Sequence, residues 1–354
     1  MSTNYKKLGD IVELIDERNK SLETSEVLGI SIDKEFMPSV ANTIGTDLSN
    51  YKLLRMNTFA CNPMHVGRDE RLPVSLYKKD IPAIVSPAYF MFRVKDENKV
   101  IPDFLMLIFK RNDFDRNCWF RTDGSVRGGI TWNDICEIEL PIPDLKEQEK
   151  IVNTYNAITN RIRIKQKINE NLEKTAQSIY RKMFIEDADE SWKTVKLSEF
   201  IEVKYGKDHK DLQEGNIPVY GSGGVMRYAN RALYDKESVL IPRKGSLNNI
   251  IYIDEPFWSV DTMFYTTMKK ENIAKYFYEF IRTKDFLNLD TGSAVPSMTT
   301  EYLNAMEILN PDEKTLEVFE DNVSKIYTEI KKNNIELVKL NQLKQLVVSQ
   351  ISKR

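Results

Sequence analysis

Residues able to do chemistry are present in this sequence, but they stand in incomplete sets. Asn62-Pro63-Met64-His65 lacks the second proline and the aromatic with which amino-methyltransferases stack a target base, and no glycine-rich cofactor loop precedes it. Pro311-Asp312 followed by Glu329-Ile330-Lys331 has the residue types of a Mg-dependent nuclease. That chemistry needs carboxylates converging from adjacent strands, whereas Glu329 and Lys331 fall in a long helical run and point to different sides. The two histidines are His65 and His209, so Cys61 with His65 is a lone pair of ligands and no metal site is expected. Walker and GxSxG sequences are absent. The expectation is a chain that recognises a ligand and carries no catalytic residues of its own.

Residues suited to binding are easier to find. Tyr220-Gly221-Ser222-Gly223-Gly224 is a glycine-rich turn, but Met226 breaks a GxGxxG pattern, and a tight hairpin and a phosphate contact both remain open. Ile241-Pro242-Arg243-Lys244-Gly245-Ser246 ends a strand with two cations and a glycine, which suits a sugar-phosphate backbone as well as it suits solvent. Tyr220, Arg227, Tyr228, Asn248, Trp258, Asp261 and Thr262 interleave aromatic and polar groups around both, and Lys204, Lys207, His209 and Lys210 crowd one loop. The net charge of −2 permits DNA binding without predicting it, and points to partners that supply further positive charge. With 354 residues, 41% of them hydrophobic, two or three domains can each hold a core. Three cysteines without close pairing, no signal-peptide core and no run of 18 apolar residues lead us to expect a soluble cytoplasmic protein.

These loops are set in a sequence that repeats itself. Gly124-Ser125, Thr131, Ile135, Ile138, Glu139 and Pro143-Asp144 recur 168 residues later as Gly292-Ser293, Thr299, Leu303, Met306, Glu307 and Pro311-Asp312. Lys7-Leu8 with Glu13 matches Lys196-Leu197 with Glu202 at an offset of 189. Ser86 with Tyr89-Phe90-Met91 matches Ser259 with Thr262-Met263-Phe264 at 173, and Asp113-Phe114 matches Asp285-Phe286 at 172. A falling offset is what loop insertions in a common frame produce.

Each copy ends in a long helical run. Residues 146–186 contain no Gly or Pro and, as a helix, would span about 60 Å. Steps of four and three pass through Ile158, Ile162, Lys165, Asn169, Leu172, Ala176, Ile179 and Met183; adding 168 gives Ile326, Ile330, Asn333, Leu337, Leu340, Lys344, Val347 and Ile351. Each seam is apolar except for two polar positions, and such interruptions fix coiled-coil register at a cost in stability. If the first helix carries the chain away from one globular unit, and the second bears the same relation to the other, the second must run back. The fold class expected is therefore α+β: two small α+β domains joined by two long antiparallel helices forming a coiled coil, with pseudo-twofold internal repetition.

Within the globular units short β-rich runs alternate with turns and one helix. Strands are expected at 198–203, 239–241, 250–253 and 263–267 in the second unit, with a helix at 274–282. The first unit offers strands at 28–32, 58–61, 84–85 and 89–94 and a helix at 104–111, mostly antiparallel.

Several of these segments together resemble the specificity subunits of type I restriction-modification systems, over essentially the whole chain. The resemblance is carried by Leu140-Pro141-Ile142-Pro143 with Glu147-Gln148-Glu149-Lys150-Ile151, by 217–224, 241–246 and Phe257-Trp258-Ser259-Val260-Asp261-Thr262, and in the first unit by Asn62-Pro63-Met64 and Val85-Ser86-Pro87-Ala88-Tyr89. The second junction departs from the pattern, with Thr315-Leu316 where Glu147-Gln148 stand, which bears on how a partner would dock there.

The resemblance implies target-recognition domains at 1–145 and 189–312 and coiled-coil helices at 146–188 and 313–354. Each domain would read one half of an asymmetric, bipartite site in double-stranded DNA. The helices would dock two modification subunits carrying S-adenosylmethionine, and restriction subunits using ATP and Mg would add cleavage. We assign Arg243, Lys244, Ser246 and Lys207 as candidate phosphate contacts, and Ser222, Arg227, Tyr228 and Asn248 as candidate base or groove readers. In the first unit the candidates are Asn62, His65, Arg68, Arg121, Ser125 and Arg127. Ser86, Tyr89, Ser259 and Thr262 would support those loops. The residues alone leave open a two-headed protein–protein adaptor on the same scaffold.

Overall fold

The repeat in the sequence is also a repeat of hydrogen bonds. In the computed structural model, which describes residues 4–41, 45–64, 66–122, 128–286 and 298–352, strand Asn4–Lys7 pairs antiparallel with Glu139–Ile142, and Lys193–Lys196 pairs with Glu307–Asn310. Lys7 lies opposite Glu139 and Lys196 opposite Glu307, the same register in both copies. Just beyond each pair, Leu8 N–H donates to the Ile138 carbonyl at 2.9 Å and Leu197 N–H to the Met306 carbonyl at 2.8 Å. The caps repeat as well. Thr131 and Thr299 accept from Asp134 N–H and Tyr302 N–H, and Asp144 and Asp312 accept from Glu147 N–H and Thr315 N–H at the start of the two long helices.

The chain divides into unit 1, Met1–Ile164 with Glu336–Arg354, and unit 2, Lys165–Ile335. Unit 1 holds a sheet in the order Val12–Ile15, Phe90–Val94, Phe59–Cys61, Val74–Leu76, and another in the order Phe36–Pro38, Val27–Ile30, Ala83–Val85, Lys52–Leu54. Phe59 stacks on Phe92 at 5.1 Å, and Phe109 meets Phe59 edge-on at 5.5 Å, seating helix Pro102–Phe109 on the first sheet. Unit 2 repeats the plan with Ile201–Tyr205, Met263–Met268, Ser238–Pro242 and Ile251–Ile253 in one sheet, and Gly224–Ala229, Ile217–Gly221 and Trp258–Ser259 in another. Helix Ala274–Arg282 lies at the place of Pro102–Phe109.

Most expected elements are present with shifted ends. The strand expected at 198–203 is instead a single 3-10 turn, Leu197–Glu199, followed by strand Ile201–Tyr205; Leu197 and Phe200, three apart, are both buried, a spacing that a turn accommodates and a strand does not. The helix expected at 104–111 starts earlier, at Pro102, whose missing N–H costs nothing in a first turn. Among the described residues two strand pairs are parallel, Val27–Ile30 with Ala83–Val85 and Ile217–Gly221 with Trp258–Ser259. The strand pairs at the two junctions and helix Asn112–Phe120 had no clear periodic signal.

The long helices are Leu145–Arg181, continued by a π turn at Lys182–Glu186, and Glu313–Ser349. Of the sixteen seam positions none is exposed, while Ile164 and Ile168, off the seam, are. Contacts within each unit give the direction. In unit 1 Lys344 Nζ lies 5.3 Å from the Tyr155 ring centroid and Arg161 Nε donates to Glu336 at 2.7 Å; in unit 2 Asn169 Nδ2 donates to Asn334 at 2.8 Å and Tyr180 packs edge-on against Phe319 at 6.2 Å. As one number rises the other falls, so the helices run antiparallel. In unit 2 the polar positions answer each other: Lys165 Nζ donates to Asn333 Oδ1 at 2.7 Å, Asn333 Nδ2 to Asn169 Oδ1 at 2.8 Å, and Asn169 Nδ2 to Asn334 Oδ1 at 2.8 Å. No helix among the described residues is long and apolar enough to cross a membrane.

Gln148 explains the Glu-Gln pair at the first junction. Fully buried, its side chain accepts from Ile101 N–H at 2.9 Å and donates to the carbonyls of Lys99 and Pro143 at 2.9 and 2.8 Å, stitching helix to globular unit. At the equivalent place Leu316 is buried among apolar residues. At the Gln148 position the departure in the second junction thus exchanges a polar stitch for an apolar one, while the partly exposed Glu147, paired with Lys150, gives way to the uncharged Thr315. In unit 2, helix Ala274–Arg282 is tied to both long helices: the Tyr327 hydroxyl donates to the Glu279 carboxylate, Gln177 Nε2 donates to the Glu279 carbonyl at 3.3 Å, and Arg282 pairs with Glu173 at 3.1 Å.

Replacing Asn333 with Leu takes a partner from Lys165 and from the side-chain oxygen of Asn169, so Asn333→Leu should cost about 1–3 kcal/mol. A lower urea midpoint at unchanged slope is expected; an unchanged midpoint contradicts the interlock. Burial holds the Glu279 carboxyl above its ordinary value of 4.5, against the opposing hydroxyl of Tyr327 and charge of Arg282. Between the unfolded and folded values the native state binds the extra proton, so this contribution is complete below pH 4.5 and is lost as pH rises through the folded value. Urea titrations should show Glu279→Gln flattening that decline; identical pH profiles contradict it.

Candidate nucleic-acid interface

In unit 2 the candidate loops converge on one short segment, 258–262. Lys207 N–H donates to the Ser259 carbonyl at 2.9 Å, while Trp258 Nε1 donates to the Lys207 carbonyl at 2.9 Å. Val260 N–H donates to the Tyr220 carbonyl at 3.0 Å, and Arg243 N–H to the Thr262 carbonyl at 2.8 Å. Asn249 Nδ2 closes the ring by donating to the Ser222 carbonyl at 2.7 Å. Lys207, Ser222, Arg243, Lys244 and Ser246 are thereby drawn from three loops to one surface. Ser259 and Thr262 serve it through their backbone carbonyls.

Two glycines make the convergence possible. A Cβ on Gly206 would stand 2.0 Å from the Val260 carbonyl oxygen, so no side chain fits beside Lys207. Gly245 has φ +83°, a conformation that favours glycine, and a Cβ there would meet Ser222 Oγ at 2.9 Å and require that hydroxyl to turn away, so glycine suits the approach of the cationic loop to the glycine-rich hairpin.

The side chains divide into supports and free groups. The Arg243 guanidinium donates to the Asp261 carbonyl at 2.8 Å and lies 4.8 Å from the centroid of the Tyr205 ring and 5.4 Å from that of Phe264. Arg227 donates to the Leu212 carbonyl, and Asn248 Oδ1 accepts from Phe286 N–H at 3.2 Å. Lys204 and Lys210 are paired with Glu202 and Asp208. Lys207 and Lys244 are exposed and form no ion pair among the described residues; Ser246 is exposed two residues from Lys244, and Tyr228 is exposed on the hairpin strand opposite Pro218. Burial pushes the Tyr220 phenol, neutral at physiological pH in any case, up to about 12. Tyr205, at the end of strand Ile201–Tyr205 and directly before Gly206-Lys207, and Val225 and Met226, in strand Gly224–Ala229, are also exposed and are not among the residues that the sequence offers as DNA contacts.

In unit 1 the loop after strand Phe59–Cys61 is folded by Asn62, whose Oδ1 accepts from Met64 N–H at 3.1 Å and whose Nδ2 donates to the Tyr89 hydroxyl at 3.4 Å. Gly67 N–H to the Gly128 carbonyl and Ile130 N–H to the Pro63 carbonyl join this loop to 128–130. Arg68 is exposed and paired with Asp69 at 2.6 Å; Arg121, also exposed, caps helix Asn112–Phe120 beside exposed Trp119 and Phe120. His65, Ser125 and Arg127 lie outside the described residues.

The chemical near-misses separate in space. Asp312 caps the last helix, and Glu329 and Lys331 lie about 25 Å further along it, with Lys331 paired to Asp254 at 2.6 Å. Cys61 is buried and its thiol pushed up to about 12 by burial. Among the described residues no group of three His, Cys, Asp or Glu could hold a metal ion.

Comparison with known proteins places this geometry. The family model described as the type I restriction modification DNA specificity domain matches residues 3–174 and again 189–345. The HindI specificity subunit of Haemophilus influenzae is 28% identical over 111 residues, 30% of this chain and 24% of that protein. The MjaIX specificity subunit of Methanocaldococcus jannaschii is 19% identical over 295 residues, 71% of this chain and 68% of that protein. The crystal structure of a type I restriction-modification S subunit from M. genitalium shares the fold at a TM-score of 0.59 and 17% identity, covering 98% of this chain and 95% of that one.

Arg243 and Lys244 should respond differently to truncation. Arg243→Ala removes a hydrogen bond and two ring contacts and should cost about 1–2 kcal/mol of stability, whereas Lys244→Ala should leave the urea midpoint unchanged. Equal midpoints for both variants would contradict the supporting role of Arg243.

Proposed function

We propose a bipartite DNA reading for this chain, which belongs to the type I restriction-modification DNA specificity family. Each globular unit reads one half of an asymmetric site in double-stranded DNA, and the halves differ because the loops of the two units differ in sequence. In unit 2 the surface built on 258–262 does the reading. Lys207, Lys244 and Ser246 meet phosphates, and Ser222 and Tyr228, with Tyr205 and Met226 beside them, face the groove. Arg243, Arg227 and Asn248 hold those loops in shape. In unit 1 the corresponding surface includes Asn62, Arg68 and Arg121.

The observation that carries this reading is the presence of two specificity-domain matches in one chain, together with uncompensated lysines on glycine-shaped loops. Phosphate contacts position a reader and base contacts specify it, so a few free cations beside polar and aromatic groups are the composition required. The chain contributes recognition and no catalytic group. Methyl transfer falls to two modification subunits carrying S-adenosylmethionine, and cleavage to restriction subunits that use ATP and Mg. The near-neutral charge of the chain is consistent with partners that supply part of the grip on DNA.

Exchange of residues 1–145 for another recognition domain, followed by mapping of methylated sites in a host carrying the complete system, is the direct test. One half of the methylated sequence should change and the other persist; a site that changes in both halves or in neither contradicts the reading. In the same complex Lys244→Ala should weaken binding to all sequences alike and reduce the slope of log K against log salt by about one.

A further inference from the structure

Lys110, Arg111 and helix Asn112–Phe120 face the two long helices within unit 1 across a cleft of about 650 Å³. Its wall carries Lys110, Arg116 and Lys344, with Tyr155, Asn341 and Gln345 between them. Lys110 Nζ lies 5.7 Å and Lys344 Nζ 5.3 Å from the centroid of the same Tyr155 ring. Two ammonium groups drawn to one ring repel each other, and the ring offsets only part of that repulsion. The acid in the wall, Asp113, is already held by Arg111, through Nε at 2.9 Å and through Nη2. Lys110, Arg116 and Lys344 form no ion pair among the described residues, and Glu35 acts on Lys110 only through its field. In a chain of net charge −2 such an excess is local and specific.

Unit 2 shows what the same place looks like when it is neutralised. By the offsets of the repeat, Lys110 corresponds to Arg282, and Asn341, Lys344 and Gln345 correspond to Glu173, Ala176 and Gln177. There Arg282 Nη2 donates to Glu173 at 3.1 Å and Gln177 donates to the Glu279 carbonyl, so the cation is met by a carboxylate of its own chain. Unit 1 has an amide where that carboxylate stands and a second cation where unit 2 has alanine.

We propose that the unit 1 cleft is the docking site for an acidic segment of a partner protein subunit, whose carboxylates take the place that Glu173 holds in unit 2. The inference rests on the reading that this chain assembles with modification subunits. A protein carboxylate fits better than a DNA phosphate because the floor of the cleft comes from the long helices and none of the candidate DNA contacts lines it. The Gln345 amide supplies a donor and an acceptor to a peptide backbone, and Asn341, whose Nδ2 donates to the Leu337 carbonyl at 2.9 Å, adds its oxygen as an acceptor.

The test uses the full chain and the modification subunit of its own restriction system, with assembly measured by sedimentation at about 0.1 M salt, where exposed charges still act, and folding by thermal melts. Lys110→Glu with Lys344→Glu should weaken assembly about tenfold or more. Asn341→Glu supplies the carboxylate from within, so it should raise the melting temperature of the isolated chain and also weaken assembly. Folded variants that assemble like the unaltered chain, or a lower melting temperature for Asn341→Glu, overturn the proposal. Intact assembly with weakened DNA retention would assign the cleft to phosphate and equally overturn it. Failure of the unaltered chain to assemble would instead remove the functional reading, and this inference with it.

Discussion

A polar side chain buried in an apolar helix seam has to be answered by another, and in these two helices the answer comes at one level. Lys165, Asn169, Asn333 and Asn334 satisfy one another there, and leaving any buried member without a partner costs about 1–3 kcal/mol. The apolar positions would tolerate a slide by a heptad; the amides would not. They also choose the direction. A parallel pairing of the two repeats would still bring Lys165 to Asn333, since these positions are equivalent, but it would set Asn169 against Leu337. Running antiparallel, Asn169 meets Asn333 and Asn334. Register and polarity therefore follow from four side chains.

Each globular unit inherits its attachment from the same duplication. An antiparallel strand pair, a carboxylate cap at the helix start and one buried residue, Gln148 or Leu316, join unit to helix in both copies. In unit 2 the aromatic contacts of Tyr276 with Phe184 at 4.6 Å and with Tyr180 at 5.7 Å, and the buried Glu279–Tyr327 contact, add a second attachment. The loops then project from a framework that does not depend on them. Recognition loops of unlike sequence can be carried on like frames, which is what a chain reading two different half-sites requires.

The frame was legible in the sequence because it repeats, and repetition turns scattered residues into fixed offsets: Thr131 and Thr299 cap helices, and Asp144 and Asp312 cap the long ones. The seam was legible because it is periodic. The site was legible only as a set of loops. That Gly206 must be glycine follows from a carbonyl at Val260, far along the chain, and no local pattern encodes that approach. Arg243, Arg227 and Asn248 have the residue types of DNA contacts, yet their side chains are bound to nearby backbone, a choice made by tertiary neighbours. Of the junction strands, Asn4–Lys7 and Lys193–Lys196 each carry two lysines and all four are only four residues long, too short for alternation to mark them, so their pairing is visible only through their partners. Gln148 reads like an outward motif and is an inward one.

Cysteine cross-linking tests the antiparallel register most directly. With the native cysteines replaced, Arg161→Cys combined with Glu336→Cys should be bridged rapidly by a short bifunctional thiol cross-linker in the folded chain, because the longer native side chains reach each other at 2.7 Å across the seam. Rapid cross-linking of Arg161→Cys with Glu329→Cys, the pairing a parallel arrangement would create, together with none to position 336, would contradict the account.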